Sequence, residues 1–146
     1  MTEFVNGNQS DTAENLMEKA VATGVQSVAD GTAANIFTIT GGPIQVVSLV
    51  GRFEAAVSAH NCAMKLIMDP TNGDDTDLCA TVDIISAGQY SWCYLTGAIA
   101  SAAVIAVPAT ALPLGVSTNL ILPPGTIDLS LANATPTTGT MIWYLR

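Results

Sequence analysis

His60, the chain's single histidine, stands two positions before Cys62. In an extended strand residues i and i+2 share a face, so the two would pair as a thiol and the base that activates it. Such a site also needs a group to orient the base and donors for an oxyanion, and neither is legible. The plainer reading is a strand-end histidine beside a buried thiol. The second constellation is the loop 69–77, where Asp69, Asp74, Asp75 and Asp77 accompany Asn72. Oxygen ligands of this kind suit a hard cation such as Ca²⁺, but the spacing lacks the glutamate of an EF-hand loop. Asn-Gly and Asp-Asp steps also serve a solvated hairpin turn. The expectation is a plain loop without metal, these four carboxylates being the candidates if a cation does bind. The third is aromatic. Trp92 and Tyr94 share one face of a strand, and Trp143 adjoins Tyr144. Exposed rings would form a sugar platform; the expectation is that they fill a core or a subunit interface. No Walker, Rossmann, zinc or hydrolase-elbow motif is present. The chain is expected not to be an enzyme and to need no cofactor.

Charge narrows the partners. Twelve acids against four bases give a net charge of −8, and Lys19, Arg52, Lys65 and Arg146 cannot assemble the basic patch that nucleic acid requires. Anionic membrane surfaces are disfavoured for the same reason. Apolar residues make up 49% of the chain, but charged ones only 11%, against roughly 25% for an ordinary soluble domain. Between Asp83 and Asp128 there is no charged residue at all. A surface so poor in charge is expected to lie against other proteins. Cys62, Cys79 and Cys93 are odd in number and lack metal-like spacing, which predicts small buried thiols. The first ten residues show neither the basic nor the apolar region of a secretory signal, so folding in a cytoplasm is expected.

The elements that would position these residues fall into two groups. Residues 1–34 read as an N-terminal arm with one short α-helix over about 11–23. Asp11 and Glu14 have capping-box spacing, Leu16, Met17, Ala20 and Val21 form one apolar stripe, and Gly24 is a stop. The stripe is expected to dock on a neighbouring subunit, the alternative being that it packs on its own domain. Residues 35–146 read as short strands, over 36–40, 44–57, 62–68, 78–84, 90–96, 104–107, 120–122, 126–131 and 140–145. Gly51 marks a bulge or bend. Many short strands punctuated by Gly and Pro predict an all-β domain, a β-sandwich or jelly-roll-like fold. The uncharged stretch 97–122 is long enough for a membrane helix, but Pro108 and Pro113 interrupt it, so no membrane span is expected.

Several strings carry a resemblance. Ile36-Phe37-Thr38-Ile39-Thr40-Gly41-Gly42-Pro43-Ile44 is followed by Asp77-Leu78-Cys79-Ala80-Thr81-Val82-Asp83-Ile84. Then come Pro124-Gly125-Thr126-Ile127-Asp128-Leu129-Ser130 and Gly139-Thr140-Met141-Ile142-Trp143-Tyr144-Leu145-Arg146. In this order they resemble the small β-sandwich virion proteins of tailed bacteriophages, in particular head decoration (cement) proteins. The resemblance implies a homo-oligomer, a trimer, on the capsid exterior that braces neighbouring major capsid protein subunits. The net negative charge suits the outer face of a capsid. On this reading the oligomer interface is drawn from Ile99, Val104, Ile105, Val107, Leu112 and Leu114, and the arm clamps a neighbour through Leu16, Met17, Ala20 and Val21. The alternative is a virion fibre or receptor-binding module with a carbohydrate-binding tip. A third reading, a small hydrolase on a jelly-roll scaffold, would require a polar pocket joining His60 to carboxylates.

Overall fold

Alternation of apolar and polar side chains sets the architecture, because successive residues of a strand face opposite sides. In the computed structural model, residues 21–28, 33–106, 118–133 and 138–146 are described. Among the described residues thirteen strands follow one another: β1 (Val21–Ala22), β2 (Gln26–Ser27), β3 (Ala33–Ile39), β4 (Ile44–Val46), β5 (Leu49–Ala55), β6 (Cys62–Pro70), β7 (Thr76–Asp77), β8 (Val82–Asp83), β9 (Trp92–Tyr94), β10 (Val104–Ala106), β11 (Leu120–Leu122), β12 (Gly125–Asn133) and β13 (Thr140–Leu145). The described residues contain no helix.

The strands form a six-stranded sheet in the order β1-β13-β5-β9-β10, with β2 also on β13. A five-stranded sheet runs β3-β12-β6-β7, with β8 also on β6, and β4 pairs with β11 in a separate ribbon. Every one of these ladders is antiparallel. Cys62, Met64, Leu66 and Met68 of β6 point inward, as do Ile127, Leu129 and Leu131 of β12. They meet Leu49 and Phe53 of β5, Cys93 of β9, and Met141 and Trp143 of β13 in one buried cluster. This is the expected all-β fold, consistent with a sandwich of two antiparallel sheets around a single core.

Four expectations are corrected in detail. Gly51 is not a bulge: its register with Trp143 is regular, and the irregularity falls between Thr140 and Met141. Glycine is needed at 51 because a Cβ there would meet Met141 Cε at 2.8 Å and the Trp143 ring at 3.0 Å. The long strand over 44–57 breaks in two, because the Val47 and Ser48 amides both donate to the Arg146 carbonyl, at 2.6 and 2.9 Å. That turn frees β4 to pair with β11. The strand expected over 78–84 shrinks to β8, although Leu78 and Ile84 are both buried.

The fourth concerns the arm. The helix reading ran to residue 23, but Val21 and Ala22 form a strand opposite Leu145 and Tyr144. Thr23 fastens it, donating its amide to the Trp143 carbonyl at 2.9 Å and accepting from the Trp143 amide on its hydroxyl at 3.0 Å. Val28 is fully buried in the core. A short isolated helix is marginal in water, whereas a ladder on β13 satisfies the same backbone groups within the domain. Leu16, Met17 and Ala20, with the rest of the expected helix before residue 21, lie outside the described residues.

Candidate functional site

The first two constellations do not assemble. His60 is exposed in the bend before β6, while Cys62 is fully buried in the core. Strand alternation therefore never applies to the pair. Asp83 Oδ1 accepts instead from the Cys62 amide at 3.1 Å and the Ile85 amide at 3.0 Å. The acidic loop is a hairpin between β6 and β7, turned at Gly73 with φ 130°. Asp77 binds the Lys65 ammonium with both oxygens, at 2.8 and 3.0 Å, and Asp69, Asp74 and Asp75 are exposed. Among the described residues no group of three or more His, Cys, Asp or Glu side chains is placed to share a metal ion. Cys62, Cys79 and Cys93 are buried, as expected, and form no disulfide. Burial raises the pKa of Cys79 and of Cys93, which keeps both thiols protonated and inert at neutral pH.

The residues expected at an oligomer interface divide. Ile99 and Val104 are exposed, by 48% and 39%. Ile105 is not on that surface: it sits opposite Cys93 in the ladder and packs on the core, as alternation with an outward Val104 requires. Val107, Leu112 and Leu114 lie outside the described residues. Residues 104–106 and 120–122 of the uncharged stretch are strands. Among the described residues no helix is long and apolar enough to cross a membrane.

What the structure does assemble is the third constellation, on the outer face of the six-stranded sheet. Ladder partners share a face, so one row across the sheet reads Ala22, Tyr144, Val50, Tyr94, Val104. The next reads Ile142, Arg52, Trp92, Ala106. The rings of Trp92 and Tyr144 lie 6.2 Å apart at 46°. The Arg52 guanidinium lies 5.6 Å from the Tyr90 ring and 5.8 Å from the Trp92 ring, within cation–π range of both. Its Nε donates to Glu54 Oε1 at 2.6 Å, and this bond raises the Arg52 pKa above its ordinary value. Trp143, by contrast, is fully buried.

The two outer faces differ in charge. On the six-stranded sheet the charged side chains of these rows and their rim are Arg52 and Glu54, which neutralise each other. On the five-stranded sheet Asp69, Asp77, Asp83 and Asp128 lie beside Ile67, Ala63 and Thr126, with Lys65 the cation among them. Asp74 and Asp75 extend this acidic side into the hairpin. One face is anionic; the other is neutral and aromatic.

No family model matches the chain, and no curated protein does. Among solved structures, one of infectious bursal disease virus, Gx strain, aligns with a TM-score of 0.36 and 9% identity over 86% of this chain and 32% of that one. The VP2 subviral particle of infectious bursal disease virus aligns with a TM-score of 0.29 and 12% identity over 88% of this chain and 33% of that one. This chain thus spans about a third of either.

Sequence reading placed Trp92 and Tyr94 on one face correctly. It missed Arg52, Glu54 and Tyr90. Arg52 and Trp92 are cross-strand partners forty positions apart, and one sequence gives no register between distant strands. A signal was present at Tyr90, which follows Gly88-Gln89 in a turn, but nothing in the residue types shows that tyrosine occupies the left-handed position.

Proposed function

We propose that this protein is a structural component of a virion, a capsid decoration protein that assembles as a homotrimer on the outside of a phage head and braces the major capsid protein. The observation that carries the reading is the neutral, aromatic outer face of the six-stranded sheet, opposite an acidic one. The uncharged stretch 84–127 supplies β9 and β10 to that face. Tyr, Trp and Arg are the side chains enriched where proteins bury contact surface. The row Tyr144, Val50, Tyr94, Val104 supports contact with sister subunits, as does the exposed Ile99 in the β9–β10 connection. The acidic sheet is left toward solvent, away from a nucleic-acid interior.

In this reading the protein is not an enzyme and its work is mechanical. Closed symmetry matches identical surfaces, and several weak contacts per trimer add to a firm hold through effective concentration. Residues 1–20 supply a further contact to a neighbour. Light scattering on the eluting protein tests the assembly: the expected particle is roughly 45 kDa, three chains of 15.0 kDa, as closed trimeric symmetry requires. A stable monomer at micromolar concentration contradicts the reading, as does failure to co-sediment with capsids.

A further inference from the structure

Tyr90 occupies a backbone position that suits glycine. Its φ is 67°, in the left-handed region that side chains other than Gly and Asn seldom enter. The turn is closed by the Ser91 amide donating to the Gly88 carbonyl at 3.1 Å, which puts Tyr90 at the third position, where a type II turn asks for glycine. Strain of this kind persists only when something else holds it. Packing does not: the side chain is 52% exposed. The backbone around it is pinned instead. The Tyr90 amide donates to the Phe53 carbonyl at 2.6 Å, the Phe53 amide to the Ser91 carbonyl at 2.9 Å, and the Val57 amide to the Ala87 carbonyl at 2.9 Å. Gln89 Nε2 donates to the Glu54 carbonyl at 2.9 Å. A rigid turn thus presents an open tyrosine ring beside Arg52 and Trp92.

We infer that Tyr90, Trp92, Arg52 and Glu54, with Gln89 at the rim, form a binding site for a neutral saccharide. The aromatic faces take the apolar C–H face of a sugar ring, since both Tyr and Trp combine a large apolar surface with an electron-rich face. Arg52 uses Nε on Glu54, which places guanidinium donors and a carboxylate acceptor side by side, the complement of adjacent hydroxyls. Because the two charges already compensate each other, a neutral ligand gains these hydrogen bonds without displacing an ion pair, whereas an anion must compete with Glu54 for Arg52. The site borders the subunit contact, because the Trp92 ring lies against Tyr144, but Tyr90 itself stands outside the strand rows, on the turn before β9 and beside the exposed Gln89. Preorganisation by the pinned turn lowers the ordering cost of binding a small, flexible ligand.

The test titrates the full-length protein with soluble glucose-, galactose-, mannose- and N-acetylglucosamine-based oligosaccharides, and with sialylated and sulfated controls, following tryptophan fluorescence. Trp143 is fully buried, so a saccharide-dependent change reports on Trp92. The expected result is saturable binding of at least one neutral oligosaccharide, weakened about tenfold or more in Tyr90→Gly by fluorescence and in Trp92→Ala, which lacks the reporter, by isothermal titration calorimetry, as loss of a stacking ring predicts. Tyr90→Gly is also expected to melt at the same temperature or roughly 2–5 °C higher, because glycine relieves the turn. Binding only of the anionic controls, no binding by any sugar, or unchanged binding in Tyr90→Gly overturns the site. If Tyr90→Gly binds no sugar differently but loses its oligomer or its hold on capsids, the corner is a protein contact and the saccharide inference is wrong. Light scattering on the same samples reads the assembly separately, so a monomer that still binds sugar would contradict only the decoration role.

Discussion

Thr118 shows how much of this fold hangs on single polar atoms. Its hydroxyl accepts from the Leu49 amide at 3.0 Å and donates to the Leu95 carbonyl at 3.1 Å, both in buried surroundings. Valine has nearly the same shape but cannot make either bond, so Thr118→Val is expected to cost about 1–3 kcal/mol in urea denaturation, the penalty of leaving buried backbone groups unpaired. Gly97 faces the same residue. Its φ is 82°, and a Cβ there would stand 1.9 Å from the Thr118 carbonyl oxygen. Gly97→Ala forces backbone to move and is expected to cost about 3 kcal/mol or more by the same measurement. The thiols give a third check. With Cys62, Cys79 and Cys93 buried, an aromatic disulfide reagent at neutral pH is expected to label none of them until the protein unfolds; rapid labelling of any in the native state would contradict their placement. The burial of these cysteines was legible from their number and spacing; alternation gave the direction of Cys62 but not of Cys79, whose neighbour Leu78 is buried as well. The Gly97–Thr118 contact was not legible, because it joins a loop to a residue after a long intervening segment.

At the level of elements, β13 and β12 organise the molecule. β13 lies between β5 on one side and β1 with β2 on the other, and β12 runs along the whole of β6 while pairing with β3. The longer strands were readable from period-two patterning, because β5, β6, β12 and β13 each have one buried and one half-buried face; β1, β2 and β7 were not. What alternation cannot convey is which strand lies beside which. The departure of β4 to β11 and the recruitment of residues 21–28 to β13 depend on hydrogen bonds to Arg146, Trp143 and Gly139, contacts between the two ends of the chain. A truncation series separates arm from sandwich. Removing residues 1–20 is expected to lower the melting temperature far less than removing 1–28, which strips β1, β2 and the buried Val28 from the sheet. Loss of that one core side chain alone is worth about 1.5–3 kcal/mol. Equal melting temperatures for the two truncations would mean that the β1 ladder contributes nothing. On the proposed function the shorter truncation still folds but holds capsids less tightly.

Across the whole molecule the decisive feature is the contrast between an acidic sheet and a neutral one. The composition already pointed to hidden surface through its scarcity of charge. It could not say where that surface lay, because the acids are scattered along the sequence and collect on one sheet only when β6, β7, β8 and β12 pair. Association through the neutral face carries a signature in salt. Two copies with net charge −8 each repel, and no attractive ion pair crosses a contact of this composition, so screening should help. Raising ionic strength from about 0.05 to 0.5 M, which shortens the screening length severalfold, is expected to tighten self-association in sedimentation equilibrium; weakening would point to a contact made of opposite charges. On the proposed function, the most direct test is an electron cryomicroscopy map of virions that carry this chain. Many symmetry-related copies are predicted on the capsid exterior, with the Tyr144–Val50–Tyr94–Val104 row against protein and the Asp69–Asp77–Asp128 side toward solvent. Shells that lack the domain, or that hold it with the acidic sheet facing the genome, would contradict the account.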